Sequence, residues 1–144
     1  PVPVIAVVRG RSIGAGCALA GVCDITLAAD DAVFQISEME RDIPPTLVMA
    51  ALLGRVPVKT LALMVYGRAT INAEQARDAG LVQDVFASAS LDHDAGKLID
   101  TMLGNSSVSL RAVKQYLSLA PGMSAQAASG FAAHLVSTAL SARF

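Results

Sequence analysis

The chain has 144 residues and a net charge of −1, which suits one domain or part of a larger one. Hydrophobic residues make up 53% and charged residues only 16%, more apolar surface than a small monomer hides, so some of it is expected to be covered by another subunit or by further sequence. The composition has no basic run and no aromatic–basic interleaving, which argues against a nucleic-acid partner, and no apolar stretch is long enough for a membrane-spanning helix.

The apolar start, Pro1 to Val8, is broken by Arg9 and Arg11. It has no basic leader and is too short for a signal peptide. Its proline-led beginning reads as a segment of a longer chain. Cys17 and Cys23 lie six positions apart with no second pair, which is no zinc pattern, and free thiols in a reducing cytoplasm are expected.

Val4–Val8 is a continuous apolar, largely β-branched run and predicts a buried strand. Residues 10–16, Gly10-Arg11-Ser12-Ile13-Gly14-Ala15-Gly16, read as a glycine-rich turn, followed by a short helix at Cys17–Val22. Ile25–Ala28 and Val33–Ile36 predict two more strands around the turn at Asp30-Asp31. Ser37–Pro45 reads as a charged loop. Leu47–Leu53 predicts an apolar helix, and Val58–Tyr66 another, entered through Pro57. Asn72 is a natural N-cap for a helix at Ala73–Ala79, and Gly80 is placed to close it. Leu81–Phe86 predicts a strand. Beyond it the pattern is helical over 90–103, 107–119 and 124–141, with breaks at Gly104-Asn105 and Pro121-Gly122. The expected division is therefore 1–86, strands with interleaved helices, and 87–144, helical.

The glycine-rich turn carries the chemistry. A helix N-terminus presents unpaired N–H groups and a partial positive charge, and glycines let a ligand approach that backbone. Such a site can stabilise the oxyanion formed from a thioester carbonyl. A tight strand-to-helix connection without a ligand accounts for the same residues. Gly10-Arg11-Ser12-Ile13-Gly14 also matches G-x-S-x-G, which in a serine hydrolase puts a nucleophile, here Ser12, on a strained elbow. Asp78 or Asp84 and His93 or His134 would be its partners.

Several segments read together resemble the enoyl-CoA hydratase/isomerase (crotonase) superfamily. Pro3-Val4-Ile5-Ala6-Val7-Val8-Arg9-Gly10 is similar to its P-V-I-A-A-V-N-G, and Ile13-Gly14-Ala15-Gly16-Cys17-Ala18-Leu19-Ala20 to its L-G-G-G-C-E-L-A. Cys23-Asp24-Ile25 with Ala28-Ala29, Phe34-Gln35-Ile36-Ser37-Glu38-Met39, Pro45, and Ala73-Glu74-Gln75-Ala76 with Ala79-Gly80-Leu81-Val82 follow in the family's order. The resemblance implies an α/β crotonase-like (ClpP/crotonase) fold, here partial, with a helical C-terminal region that mediates trimer formation. It implies an enzyme acting on an enoyl-CoA thioester through a stabilised enolate, by hydration or double-bond isomerisation. CoA would enter as part of the substrate, with no other cofactor and no metal. The partners implied are acyl-CoA and further copies of the chain, as a homotrimer or a dimer of trimers.

The resemblance gives Ala15 the position of the glycine whose N–H completes the oxyanion hole, and Glu38 that of the catalytic acid/base. Gly14, Gly16, Ala18, Asp42 and Pro45 fall at substrate-binding positions. Three departures stand out. Ala18 replaces the second glutamate of typical hydratases. Asp42 replaces a usual glycine, and Thr46-Leu47-Val48-Met49 replaces a glycine-rich stretch. Asp42, four positions after Glu38, could serve as a substitute carboxylate or lie at the surface. Loss of the second glutamate also leaves room for a family member that binds acyl-CoA without turnover. The family has further residues before this start, with the first oxyanion N–H and much of the CoA pocket, and a C-terminal tail bearing a lysine.

Overall fold

The computed structural model describes residues 2–141; residues 1 and 142–144, at the outer ends of the two expected segments, lie outside it. The chain separates into two units, one of them Val4–Lys97 and the other formed by the chain from Leu98 onward with the leading residues.

In the first unit, strand β1 (Ile5–Val8) leads through Gly10, at φ 60°, into strand β2 (Arg11–Ile13). Helix α1 (Ala15–Val22) follows at once. Strands β3 (Ile25–Ala29) and β4 (Val33–Gln35) come next, then a 3-10 turn, Glu38–Arg41. Helices α2 (Thr46–Leu52) and α3 (Val58–Tyr66), the short strand β5 (Ile71–Asn72), helix α4 (Ala73–Asp78) and strand β6 (Asp84–Phe86) complete the mixed part. Helix α5 (Leu91–Leu103) spans the boundary between the units.

The strands form two three-stranded sheets. One has the order β1-β3-β6, all parallel, with Ile5 opposite Ile25 and Ala28 opposite both Val8 and Val85. The other has the order β2-β4-β5: Ser12 lies opposite Phe34 in a parallel pair, and Phe34 opposite Ile71 in an antiparallel one. The first four strands thus alternate between sheets, and each parallel pairing needs a crossover. Helix α1 supplies the first.

Small residues let α1 lie close to α2. A side chain at Gly21 would run into Leu52 and Leu81. Cys17, Phe34, Ile36, Leu52, Leu61, Met64 and Val82 form one buried core around this contact. Buried Thr26 is satisfied, its hydroxyl donating to the Ala20 carbonyl at 2.8 Å and its N–H to Gln83 Oε1 at 2.6 Å.

The elements differ from the sequence expectation at several points, the short strand β5 and the 3-10 turn Glu38–Arg41 being unforeseen. Arg11–Ile13, read as part of a turn, is a strand, because its backbone pairs with β4. The strand expected over Leu81–Phe86 begins only at Asp84. The N–H groups of Leu81 and Val82 donate instead to the Ala76 carbonyl, at 2.9 and 3.2 Å, so their apolar side chains are buried as a helix end rather than in a sheet. The Asn72 cap is as expected: its side chain accepts from Gln75 N–H and Gln75 reaches back to Asn72 N–H, a complete capping box.

In the second unit, helices α6 (Ser107–Leu119) and α7 (Ala125–Ser141) pack on each other. Tyr116 stacks on Phe131 with ring centroids 5.9 Å apart. A largely apolar groove of about 360 Å³ runs between them, lined by residues such as Ala112, Leu117, Leu135 and Leu140. Val113, Leu117, Val136 and Leu140 stand exposed. Among the described residues no helix is long and apolar enough to cross a membrane.

Candidate active site

The site starts from the connection between β2 and α1. Gly14 has φ 55° and ψ −118°, a conformation that side-chain-bearing residues avoid. Its N–H donates to the Gln35 carbonyl at 2.8 Å, which ties the turn to β4. Ala15 and Gly16 open the helix and are exposed. Among the described residues no side chain caps this N-terminus, so the first N–H groups of α1 and the positive end of the helix dipole can meet an acceptor. The methyl of Ala15 leaves this donor in place.

Glu38 comes to the same turn from the end of β4. It begins the 3-10 turn, and its carbonyl accepts from Ile43 N–H at 3.2 Å. Its carboxylate lies directly over Gly14: a β-carbon at position 14 would fall 2.6 Å from Glu38 Oε1. Glu38 Oε2 is buried and has no hydrogen-bond partner among the described residues. A buried, unsatisfied carboxylate oxygen costs folding free energy, so Glu38 calls for a physical explanation. Cys17 is buried nearby. Its thiol is pushed up to about 12, first by burial and second by the Glu38 charge, so it stays protonated and inert.

The structure therefore brings Gly14, Ala15 and Glu38 together, with Gly16 and Ala18 on the same first turns of α1. Ala18 is half-buried, donates its N–H to the Gly14 carbonyl at 3.1 Å and packs against the core. It offers a methyl where a hydratase would offer a second carboxylate. Asp42 stands at the far end of the 3-10 turn, exposed, at φ 55° and ψ 29°. That left-handed geometry accounts for a glycine being usual there, and aspartate is among the few other residues that adopt it. Pro45 is buried at the entry to α2, where its carbonyl accepts from Met49 N–H at 2.8 Å.

The serine-hydrolase expectation fails on geometry. Ser12 sits in the middle of β2, buried opposite Phe34, not at the tip of the strand-to-helix turn. Among the described residues no hydrogen bond joins it to His93 or His134, both of which are exposed. The tip is Gly14. One residue the sequence reading passed over is Gln35, whose buried side chain donates to Glu40 Oε1 at 2.8 Å. Its position just before the Ile36-Ser37-Glu38 run was the only available signal.

The enoyl-CoA hydratase/isomerase family model matches residues 1–141. The chain belongs to this family. It is 40% identical over 116 residues to the 2,3-dehydroadipyl-CoA hydratase of Escherichia coli K12, covering 80% of this chain and 46% of that protein. It is 32% identical over 117 residues to the (7aS)-7a-methyl-1,5-dioxo-2,3,5,6,7,7a-hexahydro-1H-indene-carboxyl-CoA hydrolase of Mycobacterium tuberculosis H37Rv, covering 81% of this chain and 46% of that one. Among solved structures, an enoyl-CoA hydratase from Mycobacterium smegmatis superposes with a TM-score of 0.91 at 25% identity, over 94% of this chain and 53% of that one. A Thermobifida fusca protein solved in complex with CoA superposes with a TM-score of 0.84 at 31% identity, over 96% and 53%. The fold is thus crotonase-like, and the chain spans about half the length of the relatives it matches.

Proposed function

We propose that the protein, at its full natural length, catalyses acid/base chemistry on an enoyl-CoA thioester. The observation that carries this reading is the buried, unpartnered Glu38 Oε2 beside the uncapped N-terminus of α1. In this mechanism the thioester carbonyl accepts the Ala15 N–H. The positive helix end then stabilises the enolate oxygen more than the neutral carbonyl, which lowers the barrier. Glu38 takes a proton from the carbon chain as carboxylate and returns it as carboxylic acid. Gly14 and Gly16 let the thioester approach, and Ala18, Asp42 and Pro45 shape the wall.

Isomerisation needs only this one carboxylate: the proton leaves one end of the allylic system and returns at the other. Hydration also needs a water that is held and deprotonated, and Ala18 supplies no group for that. This favours double-bond migration. Hydration is the second reading, supported by the likeness to 2,3-dehydroadipyl-CoA hydratase. The exposed apolar residues of α6 and α7 support assembly as a homotrimer or a dimer of trimers, and the free cysteines fit a cytoplasmic location.

The test is to incubate the full-length protein with a 3-enoyl-CoA and a 2-enoyl-CoA in deuterated water and identify products by mass spectrometry. Interconversion of the two without addition of water marks an isomerase, and a 3-hydroxyacyl-CoA marks a hydratase. Acyl-CoA binding with neither product would overturn the reading and leave a binding protein.

A further inference from the structure

The site described above needs two elements in register: the turn at Gly14, which carries the oxyanion donors, and the 3-10 turn, which carries Glu38. One residue holds both. Gln35 is the last residue of β4, buried, with Ile13 of β2 opposite it. Its carbonyl accepts the Gly14 N–H at 2.8 Å. Its side-chain amide donates to Glu40 Oε1, also at 2.8 Å, two positions beyond Glu38 on the same 3-10 turn.

That turn is otherwise held by local backbone bonds: Glu40 N–H to the Ser37 carbonyl at 3.0 Å, Asp42 N–H to Met39 at 3.3 Å and Ile43 N–H to Glu38 at 3.2 Å. It has no N-cap side-chain bond. Among the described residues, Gln35 to Glu40 is the one side-chain hydrogen bond made by the turn. A neutral amide donating to a carboxylate is a strong, directional tie, and here the amide is anchored on a strand.

We propose that Gln35 is a positioning residue, fixing the Glu38 carboxylate relative to the Ala15 N–H by holding Gly14 through its carbonyl and Glu40 through its side chain. The proposal rests on the proton-transfer role given to Glu38. Proton transfer is sensitive to placement, and a displacement of about 1 Å can cost on the order of 10²-fold in rate. Acyl-CoA binding does not depend on the tie, so its loss lowers kcat more than it raises KM.

The test uses the full-length protein with Gln35→Leu, Gln35→Glu and the exchanged pair Gln35→Glu/Glu40→Gln. The first removes the donor and the second sets two carboxylates against each other. The exchanged pair rebuilds the hydrogen bond with donor and acceptor reversed. Each single variant is expected to lower kcat about ten-fold or more with KM within about two-fold, and the exchanged pair to recover most of the loss. Amide hydrogen exchange over residues 36–43 is expected to quicken in the single variants and slow again in the exchanged pair. Should Gln35→Leu fail to fold, the shape-preserving Gln35→Glu and its exchanged partner carry the test alone. Single variants with unchanged kcat and unchanged exchange would overturn the proposal, as would an exchanged pair that recovers neither. If the unaltered protein turns over no enoyl-CoA, the catalytic reading fails, and the exchange measurement alone decides whether Gln35 holds the turn.

Discussion

The Glu38 carboxylate covers the α-carbon of Gly14 so closely that a side chain at position 14 would fall 2.6 Å from Glu38 Oε1. Two segments separated by more than twenty positions thus meet through a missing side chain. Gly14→Ala is expected to strain a positive-φ backbone and to push the carboxylate away. Gly10 gives the comparison, since it shares a positive φ of 60° but has open space around it. Gly10→Ala should cost about 1–2 kcal/mol from the backbone alone. Gly14→Ala should cost more and also lower kcat, as urea unfolding and steady-state turnover would show. Equal losses of stability, with turnover intact in both, would refute the steric part.

At Asp42 the strain runs the other way. The residue sits at φ 55° and ψ 29°, so Asp42→Gly is expected to be more stable than Asp42→Ala by about 1 kcal/mol. Chemical denaturation with an unchanged denaturant slope would measure it.

Cys17 ties the site to pH. Its thiol pKa rises from an ordinary value of 9.0 to about 12 on folding, first through burial and then through the Glu38 charge. The folded state therefore holds this proton more tightly than the unfolded chain. Its contribution is fully present below about pH 9 and is lost as pH climbs toward 12, because only the unfolded chain releases the proton there. Wild type should lose stability faster than Cys17→Ala over that range. At pH 8, iodoacetamide should label half-buried Cys23 well before buried Cys17, a result read by peptide mass spectrometry.

The capping box at α4 offers a local check. Asn72→Ala removes the acceptor of the Gln75 N–H and should cost about 1 kcal/mol. No change in thermal midpoint would contradict the role of the cap.

Much of this was legible in the residues. Pro57, Asn72 and Gly80 punctuate helices through properties they carry themselves: a fixed φ, a side-chain acceptor, and tolerance of φ 76°. The strand β2 was not legible. Three residues between glycines look like a turn, and only pairing with distant β4 makes them a strand. The start of β6 was misplaced for a related reason: Leu81 and Val82 have strand-like side chains, but their N–H groups are spent on Ala76. Glu38 was legible through its neighbouring motif. That its carboxylate would lie over Gly14 and that Gln35 would brace both was not, since contacts across strands leave no mark in a single sequence.

The central claim is that Glu38 moves the proton, and Glu38→Gln in the full-length protein tests it most directly. Glutamine keeps the shape and removes the base. Proton transfer by a placed side chain is worth about 10²–10⁴-fold, so kcat on the preferred enoyl-CoA should fall by at least 10²-fold while acyl-CoA affinity changes little. Near-wild-type turnover in Glu38→Gln on every enoyl-CoA tried would contradict the account and make Asp42 the next carboxylate to remove.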